Sequence, residues 1–343
     1  MKHALLLKKV TQQVITLFFL FCLTYSYAQA QNIIYVDISA SGNNNGTSWS
    51  DAYTDLQDAL SVANTKDTIW VATGTYYPTP TADRTISFQI PDSVAVYGGF
   101  AGSETQRNQR NWEINETILS GDIGVADDST DNSYHVVLFD HVTAQTLLDG
   151  FTITRGNASQ TGYDPHSDGG GIYIDGTSSS EGSNPQITNC LITKNISTDR
   201  GAGIYNNGEN GKANPAITHC TFTGNLGSEG GAIHNNGRNG ECNPTIEYCI
   251  FSGNYATNGA AMNNYNVQGT TNPVITNCSF IGNNSVHGAV MHNYTYQGVV
   301  SPQLTNCLIW GNRSVSNNAA PVYSYCNIEG SGGSANWNTA LGT

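Results

Sequence analysis

Residues able to do acid, base or metal chemistry are few in this chain, and their spacing narrows what they can do. Asp122, Asp127, Asp128 and Asp131 fall in one turn-rich stretch after Gly121. Oxygen donors gathered on a flexible turn suit a hard cation, so this loop is a candidate Ca2+ site, although its spacing is not that of an EF-hand. Lys194, Asp199, Arg200 and His219 hold the residue types a polysaccharide lyase needs: a base for the proton α to a uronate carboxylate, and cations for the charge that develops. Glu209, Glu229, Glu241 and Glu247 are the acids from which a glycosidase pair would be drawn. Each lies at a different repeat offset, so no pair is favoured and no catalytic residue is assigned.

Thiols are the other reactive set. Cys190, Cys220, Cys249, Cys278 and Cys307 follow at steps of 30, 29, 29 and 29, with Cys326 after a shorter step. No C-x-x-C or Cys/His spacing suits zinc. Residues stacked on adjacent strands have Cα atoms about 4.8 Å apart, within disulfide range, but their Cβ atoms run nearly parallel instead of converging to about 3.8 Å. A buried, reduced thiol ladder is therefore expected, with disulfide pairing as the alternative. Cys242 stands outside the ladder on a turn.

The same period runs through Pro185, Pro215, Pro244, Pro273 and Pro302, and through Asn195, Asn225, Asn254, Asn283 and Asn312. One unit reads N-P-x-I-T-x-C-x-F-x-G-N, then Gly230-Gly231-Ala232-Ile233, then a polar Gly/Asn run. Ile217 and Cys220 are an odd number of residues apart, so if both point inward the chain must turn between them, at position 219. Gly224-Asn225 supplies a second corner, because both residue types tolerate left-handed backbone angles. Three short strands and three turns in 29 residues make one coil of a solenoid. The fold class is thus all-β, a right-handed parallel β-helix. The aligned asparagines are expected to pass amide hydrogen bonds from rung to rung.

Tyr205, His234, Asn263 and His292 directly follow the inward Ile204, Ile233, Met262 and Met291, so alternation turns them outward as one stripe. Tyr265 and Tyr294 lie two residues further on, with Tyr296 beyond. Flat rings beside hydrogen-bonding groups are what a sugar chain stacks on, which makes this stripe the candidate ligand face.

Residues 31–150 are less regular. Ile33 to Val36, Thr68 to Val71, Val94 to Tyr97, His135 to Phe139 and Phe151 to Thr154 read as strands. Thr54 and Gln57 fit a capping box, and Leu56, Ala59, Leu60 and Ala63 form one apolar stripe. A short helix is expected there, capping the open end of the first coil.

Tyr35-Val36-Asp37, Gly46-Thr47-Ser48-Trp49, Asp67-Thr68-Ile69-Trp70-Val71-Ala72, Tyr97-Gly98-Gly99-Phe100 and Leu148-Asp149-Gly150-Phe151-Thr152-Ile153 resemble the N-terminal half of secreted bacterial β-helix proteins of the pectin-lyase-like superfamily. That resemblance implies the fold, and an activity anywhere among lyases, hydrolases and proteins without known activity. The repeats are also similar to those of chlamydial polymorphic outer-membrane proteins, with Gly230 to Ile233 as the GGAI motif and Phe222 to Asn225, Phe251 to Asn254 and Phe280 to Asn283 as F-x-x-N. This implies an adhesin-like surface solenoid.

Lys2, Lys8 and Lys9, the apolar run Val14 to Leu23 and Ala28-Gln29-Ala30 read as a signal peptide over residues 1–30, so export is expected. The apolar run is too short to span a bilayer, so the mature chain is not expected to be an integral membrane protein. Removing this segment takes 13 Lys+Arg to 10 against 26 Asp+Glu, a balance of 10 − 26 = −16. Such a charge disfavours nucleic acid as partner. Residues 31–150 are expected to form a cap and irregular first coils, and 151–343 regular coils without a C-terminal cap, since 335–343 carry no cap motif. The expected function is a secreted or surface β-helix that binds a polysaccharide or cell-surface glycan; the alternative is a lyase acting on an acidic polysaccharide.

Overall fold

Short apolar strands repeating every 29 residues can bury their inward side chains only by stacking coil on coil, and the chain does this. The computed structural model describes residues 32–160, 165–313 and 321–329; the expected signal peptide and the final residues 335–343 lie outside them. Among the described residues, three parallel sheets run along the solenoid. A ten-strand sheet passes from Ile33–Val36 through Leu147–Asp149, Gln186–Thr188 and Ala216–Thr218 to Val322–Ser324. A nine-strand sheet includes Leu191–Thr193, Thr221–Thr223 and Ile250–Ser252, and a seven-strand sheet includes Ile204–Asn207, Ile233–Asn236 and Met291–Tyr296. Equivalent residues pair in register, as in Ile204↔Ile233↔Met262↔Met291. This is the expected right-handed parallel β-helix.

The interior is built from ladders of like residues. Ile187, Ile217, Ile246, Ile275 and Leu304 line the ten-strand sheet, all fully buried. Phe222, Phe251 and Phe280 face in from the nine-strand sheet, with ring centroids 4.8 Å apart and planes within 5° of parallel. Both predicted corners are present: His219 has φ 55° and Gly224 φ 63°.

Asn195, Asn225, Asn254, Asn283 and Asn312 form the expected amide ladder. Asn225 Nδ2 donates to Asn254 Oδ1 at 3.0 Å and to the Ile192 carbonyl at 2.9 Å, while Asn225 N donates to the same Oδ1 at 3.2 Å. Two further asparagine ladders were not anticipated. Asn206, Asn235, Asn264 and Asn293 point into the core from the seven-strand sheet, linked by Nδ2–Oδ1 bonds of 2.7 to 2.8 Å. The Oδ1 of Asn206, where the ladder meets the apolar Ile174, has no partner. Asn184, Asn214, Asn243 and Asn272, each preceding a repeat proline, accept the backbone N–H of the next rung.

The irregular half keeps the expected strands and adds Gly74–Tyr76, Phe88–Gln89, Thr117–Ser120 and Leu147–Asp149. The helix is Leu56–Val62, with Leu56, Ala59 and Leu60 buried against the first strands. Its N-cap is Asp55, whose side chain accepts from Gln57 N; Thr54 instead donates its backbone N–H to Asn44. The capping box read over Thr54 is therefore corrected: an aspartate one residue closer already serves the first turn. No helix among the described residues is long and apolar enough to cross a membrane.

The six ladder cysteines are free, five of them buried and Cys326 partly exposed; Cys242 is also free and fully buried. Burial pushes the thiols of Cys220 and Cys242 well up, which holds them protonated and unreactive. Quantitative thiol labelling with peptide mapping should find Cys326 alone reactive in native protein and all seven reactive after non-reducing denaturation. Any of them still blocked after denaturation would mean a disulfide. Asn254→Ala should remove one rung of the amide ladder and destabilise by about 1 to 3 kcal/mol in urea unfolding, through the amides left unpaired on either side; an unchanged midpoint would show the ladder is not a stability element.

Candidate functional site

The predicted ligand stripe is largely covered. Tyr205, His234, Asn263 and His292 do follow one another in register on the outer face of the seven-strand sheet, but are only 2, 0, 1 and 8% exposed. The reason lies beside them: Arg200, Glu229, Asn258 and His287 form a neighbouring ladder that closes over the row. Asn263 Nδ2 lies 3.3 Å from Glu229 Oε2 and 3.1 Å from His234 Nδ1, and His292 Nδ1 donates to Asn263 Oδ1 at 2.7 Å. The expectation of an exposed stripe is thus corrected for these four residues.

Tyr265 is partly exposed and Tyr294 is 45% exposed, their rings 5.3 Å apart and 7° from parallel. Stacked rung upon rung, they cover each other's faces and turn edges to solvent. A sugar stacking on aromatic faces finds little there, except on the outermost ring.

The aspartate loop is also committed. Asp122 and Asp127 both pair with Arg155, the first at 2.7 Å. Asp131 Oδ2 accepts from Val125 N at 2.7 Å, and Asp128 Oδ1 from Thr130 N at 2.9 Å. The four carboxylates do not converge, and no three His, Cys, Asp or Glu side chains among the described residues are grouped to hold a metal ion. The cation this loop carries is the guanidinium of Arg155.

Nor do the lyase-type residues gather. Lys194 follows the nine-strand sheet, His219 sits at the corner between the ten- and nine-strand sheets, and Asp199 with Arg200 precedes the seven-strand sheet. Arg200 lies 3.6 Å from both Asp199 and Asp168. Among the glutamates, Glu209 faces Arg238 and Glu241 faces Lys212, each at 3.6 Å.

The concave site is elsewhere, where the repeat is interrupted. Between the strands Ala95–Phe100 and Thr117–Ser120, residues 101–116 replace a corner that later coils turn in one or two residues. The segment folds back over Gly150 and Asn189, the corners of the next two coils. Gly150 makes room: its φ is 85°, and a Cβ there would lie 2.6 Å from Arg110 Nη1 and 3.1 Å from Trp112 Cβ. Arg110 anchors the segment, pairing with Asp149 at 2.6 Å and donating to the Gly98 carbonyl at 2.8 Å.

Two grooves result, with Trp112 lining both. One, of about 440 Å³, is walled by Tyr97, Arg107, Arg110 and Asp149; the other, of about 490 Å³, by Glu113, Glu116, Asn189 and His219. Trp112 is 37% exposed, with the Arg110 guanidinium 4.8 Å from its ring. Arg107 is exposed; it lies over the Tyr97 ring and donates to its hydroxyl at 2.6 Å. Among the described residues no carboxylate comes within ion-pair distance of Arg107. Sequence reasoning passed over this segment because it lies outside the repeat. The available signal was two of the ten Lys+Arg that follow residue 30, in Arg107–Arg110, followed by Trp112.

No family model and no curated protein matches the chain. Among solved structures it is similar to pectate lyase Pel9A, at a TM-score of 0.52 and 17% identity over 87% of this chain and 69% of that one. A rhamnogalacturonan lyase aligns at 0.48 and 15%, over 85% and 73%. Pectin methylesterase PemA from Erwinia chrysanthemi aligns at 0.37 and 10%, over 92% and 98%. At such identity the likeness to Pel9A is one of fold, the parallel β-helix.

The covered ladder supplies a pH test. Burial, only partly offset by Arg200, pushes Asp168 up to about 7, and burial with Arg200 nearby holds His234 well below the usual imidazole range. A carboxyl raised in the folded state gives stability that is complete below the unfolded value of about 4 and lost as pH rises through about 7. His234 acts oppositely, losing stability as pH falls below about 6.5. Asp168→Asn isolates the first effect. Relative to wild type, the variant should gain more than about 1 kcal/mol between pH 4 and pH 8 in urea unfolding; a pH-independent difference would mean Asp168 ionises normally.

Proposed function

We propose that this protein is an exported, non-catalytic glycan-binding β-helix, adhesin-like in its use of a repeat scaffold, and that the groove under residues 101–116 holds an acidic sugar chain. The observation that carries this reading is Arg107: exposed, without a carboxylate partner among the described residues, in a chain with 26 acids and 13 Lys+Arg, and set beside the exposed Trp112. A uronate carboxylate would complete the ion pair while its ring packs on the indole, and Glu113, Glu116 and Asn189 would take hydroxyls from the adjoining unit. Pectate, the polymer in the name of the similar Pel9A, is a polymer of this class. Export would use residues 1–30 as a signal peptide.

A lyase is the second reading, favoured by His219 beside Glu113 and Glu116 in the same groove, where an imidazole could take the α proton. Both readings are addressed by titrating polygalacturonate, alginate and a neutral xylan, with and without calcium, while following the ultraviolet absorbance of the unsaturated product. Binding of the acidic polymers without new absorbance is the expected result. Arg107→Ala and Trp112→Ala should each weaken binding about tenfold and barely move the melting temperature. Undiminished affinity in both variants would remove the groove, and growing absorbance would convert the binder into a lyase.

A further inference from the structure

The corner between the ten- and nine-strand sheets is built six times in succession by Asn189, His219, Tyr248, Asn277, Asn306 and Tyr325, all with φ between 52° and 57°. This left-handed region crowds any Cβ; asparagine tolerates it, histidine less well, and a bulky tyrosine is an outlier there. The chain has easier solutions and uses them. Its next corner is made by Gly224, Gly253, Gly282 and Gly311, and three of the six positions here are asparagine. Packing does not explain the tyrosines, since Tyr248 is 51% exposed and Tyr325 88%. Tyr248 stacks one face on His219, at 4.9 Å between centroids and 12° from parallel, and among the described residues no second ring stacks on it. Asn189 and His219 also line the groove beside Trp112, so the corner row begins where the groove ends.

We infer that this row is a binding track that continues the groove along the solenoid, with Tyr248 and Tyr325 placed for affinity against the preference of the backbone. Strained residues persist where something other than local stability retains them. Five rung steps span about 24 Å, close to the length of about five sugar units in an extended chain, so the ligand class is a polymer and not a mono- or disaccharide. Two exposed tyrosines, with the amides of Asn277 and Asn306 between them, suit a chain that presents both C–H faces and hydroxyls. The inference rests on the glycan-binding reading above.

The test uses the full chain, polygalacturonate and its dimer, tetramer and octamer, in calorimetric titrations beside thermal melts. Wild type should bind the octamer far more tightly than the dimer. Tyr248→Asn and Tyr325→Asn, which install the residue already found at equivalent corners, should raise the melting temperature by roughly 1 to 3 °C and together weaken octamer binding about tenfold, leaving the dimer unaffected. Octamer affinity unchanged in the double variant, or equal affinity for dimer and octamer, overturns the track while leaving the groove standing. Failure of wild type to bind polygalacturonate at all overturns both readings.

Discussion

In the regular coils of this protein, strand and corner residues stand on their own counterparts one rung away, about 4.8 Å along the axis. A side chain must therefore be compatible first with copies of itself. Amides pass this test because each carries a donor and an acceptor, which is why the Asn225–Asn254 contact can repeat indefinitely. Parallel phenyl rings and small thiols pass it as well. Like charges do not, and only 11% of residues are charged.

The same constraint shapes the polar ladder outside the seven-strand sheet. Asp168, Arg200 and Glu229 stand at successive coils, followed by the neutral Asn258, so no two like charges are adjacent. This alternation lets the row sit against Tyr205, His234 and Asn263 and bury them. The consequence is thermodynamic as well as geometric: burial favours the neutral forms of three of these groups, raising the carboxyls of Asp168 and Glu229 and depressing the imidazole of His234, while the acids around Arg200 keep it charged.

Self-stacking also explains which features the sequence shows and which it hides. The repeat period, the corners at His219 and Gly224, the thiol ladder and the Asn225–Asn254–Asn283 ladder were legible because stacking forces equivalent residues to recur at fixed spacing. The alternation rule correctly turned His234 away from the core, but could not show that a neighbouring turn would cover it, since burial there depends on a contact between two different ladders. The aspartate loop misled for a similar reason: Arg155, which occupies it, comes from another coil. The core-facing Asn206–Asn235–Asn264 ladder escaped notice because buried amides read as surface residues unless their mutual pairing is known.

A perfectly regular solenoid encloses little volume. Its aromatic rings stack on one another, as Tyr265 does on Tyr294, and its corners turn too tightly to enclose volume. The grooves beside Trp112 arise where the repeat is broken. Residues 101–116 break it by insertion, bringing Trp112 and Arg107 from outside the ladder order, so that neither has a counterpart on the next rung to occupy it. Gly150 is the structural condition for that break, because the corner beneath the inserted segment must present no Cβ. The concavity beside Trp112 thus depends on the corner where the period fails, with regular coils stacked beyond it.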